Sequence, residues 1–131
     1  MIPVIISKFH NILIPLLIFI LFFVFDLILG VSKGIKNKNF SSNKLRNCIP
    51  KFLGYLLTII SCTLLDILAS FSTNLTIFES YNPISITVTI LICVIEFISI
   101  IENANALNAK LPKFLITLIS VFNEEIFEKK D

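Results

Sequence analysis

Apolar positions run almost without a break through three stretches of the chain. Ile12 to Val31 is interrupted only by Pro15, Asp26 and Gly30, Phe52 to Phe71 reads FLGYLLTIISCTLLDILASF, and Ile84 to Ile101 reads ISITVTILICVIEFISII. The first two are 20 residues long and the third 18. At about 1.5 Å per residue, helices of that length reach roughly 30 Å, the thickness of a bilayer core. The pattern predicts three membrane-spanning helices, at about 12–31, 52–71 and 84–101. Lys8 and His10 ahead of an apolar core also suit a secretory leader, but the core is too long and no small-x-small site follows. Span one is therefore expected to stay in the membrane.

After Pro112 the period changes. Phe114, Leu115, Leu118, Ile119, Phe122 and Ile126 recur at helical spacing in a segment too short to cross a bilayer and charged at its end. An amphipathic helix over about 112–127 is expected, lying in the interface or against a neighbouring subunit, with Pro112 in its first turn. No internal repeat or long linker divides the chain. The expected architecture is a single membrane domain over residues 1–131, all-α, with three transmembrane helices and a short C-terminal amphipathic helix.

Composition agrees with lipid as the solvent. The chain is 131 residues long and 56% hydrophobic, against about 45–50% for a water-soluble domain, and its mean hydropathy is +0.92. Charge adds an orientation. Net charge is +2, yet Ser32 to Lys51 alone holds six positive residues (Lys33, Lys36, Lys38, Lys44, Arg46 and Lys51) and no acid. Such a segment is retained in the cytoplasm, whereas STNLTIFESYNP, Ser72 to Pro83, carries only Glu79 and suits the outer face. The N-terminus is expected outside and the C-terminus in the cytoplasm of a bacterial membrane. Lys110 and Lys113 agree, and Lys8 with the terminal amine opposes weakly.

Catalytic and cofactor chemistry find no footing. His10 is the only histidine, Cys48, Cys62 and Cys93 are widely spaced with no CxxC pair, and GVSKG lacks the full phosphate-loop pattern. No enzyme activity, metal, cofactor or nucleic-acid partner is expected. The polar residues inside the spans are more informative. Gly54, Thr58, Cys62, Asp66 and Ser70 follow at four-residue intervals in span two, suggesting one shared helix face. Span three offers Ser85, Thr89, Cys93, Glu96, Ser99 and Asn103. Small polar faces let helices approach closely in lipid. They are expected to glue the spans of one subunit together or to line a water-filled assembly of several.

Each span also embeds one acid: Asp26, Asp66 and Glu96. An ionised carboxylate at mid-bilayer is disfavoured by about 2.5–3.5 kcal/mol, so all three are candidates for a functional role. Asp26 and Glu96 fall toward the basic-segment side and Asp66 toward the other. Asp66 and Glu96 are the stronger lumen candidates, and Asp26, followed at four-residue spacing by Gly30 and Gly34, reads as a helix contact.

These segments resemble a known family. DLILGVSKG, FSSNKLRNCIPK, LLDIL and EFISIIENANALNAKLPKFL together resemble phage holins related to clostridial toxin-secretion holins, over about residues 26–115. The matching positions are Asp26, Gly30, Lys33, Ser41, Ser42, Lys51, Asp66, Glu96, Ser99, Glu102, Asn103 and Pro112; Asn47 and Asn108 stand where the pattern has glycine. The resemblance implies a protein that oligomerises in the host cytoplasmic membrane and opens lesions for an endolysin or a large toxin. Its partners would be the lipid bilayer and further copies of itself, with the endolysin or toxin needing no direct contact. An accessory subunit of a membrane complex, a small ion channel or transporter, and an inhibitory antiholin are the alternatives.

Overall fold

A computed structural model of the chain describes residues 1–72 and 74–128, with side chains described except at Lys44 and 122–128. The side chains of Lys44, Phe122 and Ile126, named above, therefore lie outside the described residues. Five helices follow in order: α1, Ile2–Lys36; α2, Ser42–Ser72; α3, Thr76–Ser80; α4, Pro83–Ala106; and α5, Lys113–Glu128. Among the described residues there is no strand. Three helices are long and apolar enough to cross a membrane: α1, α2 from Leu45, and α4. The first and third spans run the same way and the second runs back between them. The N-terminus and the α2–α4 connection thus share one end of the bundle, and the α1–α2 connection and the end of α4 share the other.

The helices overrun the apolar stretches that predict them. α1 begins ten residues before Ile12, and the basic segment, expected as a connecting loop, is helical except at Asn37–Ser41. Two helix ends explain the short turns. At the end of α1, Asn39 N–H donates to the Gly34 carbonyl and Lys38 N–H to that of Ile35, with Lys38 in the left-handed region at φ 54°. The end of α4 repeats this, Ala109 N–H to Ala104 and Asn108 N–H to Asn105, with Asn108 at φ 60°. Both are Schellman caps, which usually carry glycine at the left-handed position. Asparagine tolerates that conformation and lysine does so less well. Asn108 therefore completes the turn without a glycine. Lys36 Nζ adds a bond of 3.4 Å to the Ala106 carbonyl, placing a cation at the negative end of α4.

Packing centres on α1, whose longest contact is with α4. One face of α1 buries Lys8, Ile12, Phe19, Phe23 and Gly34, and its core residues meet Ile59 of α2 and Ile92 of α4. Phe19 has no exposed surface. Its ring stacks on Phe52 at 5.9 Å and meets Tyr55 edge-on at 5.9 Å, while Phe23 lies 4.9 Å from Phe52. Outside this seam the helices present Leu, Ile and Phe outward, including Leu17, Leu21, Phe25, Leu57, Leu64, Leu68, Ile90 and Leu91. An apolar exterior around a polar seam is the distribution lipid requires.

Candidate functional site

The polar residues of the spans collect in two clusters, one toward each end of the bundle. The first is built around the start of α4. Pro83 opens the helix with the φ that a first turn needs, but Asn82, at the capping position, makes no cap with its side chain. Asp66 of α2 does that work from across the bundle. Its Oδ1 accepts from Ile84 N–H at 3.0 Å, and its Oδ2 accepts from Ser85 N–H and Ser85 Oγ, both at 2.8 Å. The carboxylate satisfies two of the orphan donors of the helix and faces the positive end of its dipole.

Asn82 is freed to donate to the Lys8 carbonyl at 2.6 Å. Lys8 in turn donates through Nζ to the carbonyls of Phe78 and Tyr81, and Asn11 reaches Ser80 at 3.2 Å. The connection between α2 and α4 is thereby tied to α1. Lys8, Asp66, Asn82 and Ser85 are all buried. One cation and one carboxylate balance here.

The second cluster joins all three spans. Asp26 Oδ1 on α1 accepts from Ser99 Oγ at 2.6 Å and Asn103 Nδ2 at 2.9 Å, both on α4. Lys51 of α2 stands 3.5 Å from Asp26 Oδ2 and 2.7 Å from Glu96 Oε1. Its ammonium also lies 5.8 Å from the ring centroids of Phe23 and Tyr55, within cation–π range. Glu96 is fully buried. Two carboxylates share one ammonium.

The polar face of α4 turns into the bundle. Ser85, Thr89 and Glu96 are buried, Cys93, Ser99 and Asn103 half-buried, and Thr89 Oγ1 bonds the Ser85 carbonyl at 2.7 Å. Its residues span about five turns in steps of three and four, which keeps them in register on one side. The stripe expected on α2 does not hold together. Asp66 is buried and Cys62 and Ser70 half-buried, but Gly54 and Thr58 are exposed, with open space above Gly54. Successive steps of four advance about 40° each, so Gly54 and Ser70 lie about 160° apart around the helix. Thr58 Oγ1 closes on the Gly54 carbonyl at 2.8 Å and Ser70 Oγ on Ile67 at 2.7 Å.

Of the basic residues expected to set orientation, Lys38 and Arg46 are exposed and Lys33 is half-buried, while Lys36 caps α4. Lys51 turns inward instead. Its partnership with the embedded acids was open to inference, because it directly precedes span two and is the basic residue nearest to them in the membrane. Lys8, Asn11 and Asn82 left no such signal, since they depend on where the α2–α4 connection crosses α1.

A sequence profile of the bacteriophage holin family matches residues 4–124. The chain belongs to that family. The match takes in all three spans, both polar clusters and most of α5, so this member of the family is a multi-pass membrane protein along essentially its whole length. Neither a curated protein nor a solved structure matches the chain significantly.

Proposed function

We propose that this protein is the lesion-forming component of a lysis or release system. It accumulates in the bacterial cytoplasmic membrane with its N-terminus outside and its C-terminus inside, assembles with copies of itself, and opens holes for an endolysin or a large toxin. The observation that carries this reading is the inward-turned polar face of α4 in a holin-family chain. A lone copy is tolerable in lipid because Ser85, Thr89, Glu96, Ser99 and Asn103 turn toward α1 and α2 and apolar side chains face outward. Copies that rotate these faces toward a common centre expose a wettable wall, with the apolar faces still in lipid. Gly54 and Thr58, already on the outside of α2, offer a close-approach surface for a neighbouring helix.

The basic segment supports the orientation, because Lys33, Lys36, Lys38, Lys44 and Arg46 gather at the end holding the α1–α2 connection and the end of α4. α5, with Phe114, Leu118 and Val121 exposed along it, suits the adjacent membrane surface. Induced expression in a bacterium with and without a co-expressed endolysin tests the proposal. Expected is an abrupt loss of membrane potential in both strains, and lysis only with the endolysin. Harmless accumulation would point to an accessory subunit, and reversible, ion-selective conductance to a channel; either overturns the reading.

A further inference from the structure

The second cluster differs from an ordinary buried ion pair in its charge count. Asp26 and Glu96 both lie within 3.5 Å of Lys51 Nζ, and among the described residues no second cation joins them. The other groups facing the junction are Tyr55 on α2, Cys93 on α4, and the uncharged Ser99 and Asn103 on α4. With both carboxyls ionised, the junction carries a net negative charge inside an apolar bundle. Glu96 is completely buried, and besides Lys51 the polar groups that reach its carboxyl among the described residues are the Tyr55 hydroxyl and the Asp26 carboxyl, neither of them a cation. Two buried carboxylates with a single ammonium between them are strongly disfavoured, whereas a carboxylic acid needs no counter-charge.

From these observations we infer that the Asp26–Lys51–Glu96 junction is a proton-binding site, holding one proton per chain in the closed bundle, shared between the two carboxyls. Which oxygen carries it at a given moment is a property of the pair. Uptake forms one O–H bond on a carboxylate oxygen, and release returns the proton to water. The route is a cleft of about 140 Å³ lined by Asp26, Leu27, Gly30, Val31, Cys48 and Asn103. Asp26, whose side chain is 14% exposed, stands between this cleft and Glu96.

Binding the proton completes the charge balance and clamps the three spans. An opened, hydrated chain releases it, so the closed bundle binds the extra proton and raising the pH weakens it, by up to about tenfold in the closed-to-open ratio per pH unit. The proton site does not depend on the lesion-forming reading; only this consequence for opening does.

The test is infrared spectroscopy of the full chain reconstituted in lipid vesicles at pH 7, counting the carbonyl band of protonated carboxylic acid per chain. The wild type is expected to show one. Glu96→Gln and Asp26→Asn each abolish it, because the remaining carboxylate and Lys51 balance. Lys51→Met doubles it, and Asp66→Asn leaves it unchanged. Helical circular dichroism reports whether each variant folds, and Asp26→Asn tests the same point should Glu96→Gln misfold. No protonated band in the wild type, with or without sodium, overturns the proposal, since both acids are then ionised. A band lost in Asp66→Asn but retained in Glu96→Gln also overturns it. A correct band count in a chain that fails to support lysis leaves the site standing and removes the lesion reading.

Discussion

The two polar clusters use the same residue types to different ends. At the end holding the N-terminus, Asp66 caps the start of α4 and Lys8 binds the carbonyls of Phe78 and Tyr81, one carboxylate and one cation in the same cluster. At the other, Lys51 divides itself between Asp26 and Glu96. The first is a fastener: it caps a helix that has no cap of its own and ties down the α2–α4 connection. The second is a junction where two carboxyls share one ammonium, beside an open cleft. On the proposed function the bundle is locked at one end and adjustable at the other, an asymmetry suited to a lesion former that persists closed in a membrane and then opens.

The largest effect should come from unlocking the fastener. Asp66→Ala strands two α4 donors and leaves Lys8 buried without its counter-charge, and should destabilise the bundle by about 3–5 kcal/mol. Titration of the folded protein from mild into denaturing detergent, followed by circular dichroism, measures this. Lys51→Met comes next, at about 2–3 kcal/mol by the same titration, because the two acids can relieve their repulsion by taking up protons. Glu96→Gln should cost less than about 1 kcal/mol, since it keeps the shape and removes the surplus charge. A Glu96→Gln penalty equal to that of Asp66→Ala would erase the distinction between the two clusters. The smallest effects belong to the turns, which serve as a control away from both. Lys38→Gly should stabilise by about 0.5–1 kcal/mol and Asn108→Gly by a few tenths, as each relieves a left-handed residue.

The spans were legible from apolar run length alone, because a bilayer imposes that length, and α2 and α4 contain the stretches expected of them. Their full extent was not. Helix continues through Lys33 to Lys36 and from Ser42 onward because backbone hydrogen bonding is as well satisfied in the polar interface as in lipid, and composition there gives no contrast. The polar face of α4 was readable because its mixed steps of three and four stay in phase. The α2 stripe misled because uniform steps of four wind around the helix, separating Gly54 from Asp66. Asp66 itself was visible as a buried acid, but its role as a cap for another helix needed the third dimension. Lys8 was hidden for the same reason: its partners are backbone carbonyls some 70 residues away, which carry no side-chain signature.

The central claim is that the polar face of α4 is dry at rest and meets water when the lesion forms. Cys93 lies on that face and allows a direct measurement once Cys48→Ser and Cys62→Ser leave it the sole thiol. Cells expressing this chain would be exposed to a membrane-impermeant maleimide before and after the membrane potential collapses, with Leu57→Cys in a thiol-free chain as the lipid-facing control. The account predicts that Cys93 is unlabelled before the collapse and labelled after it, while position 57 stays unlabelled throughout. Labelling of Cys93 before the collapse, or none after it, would contradict the account.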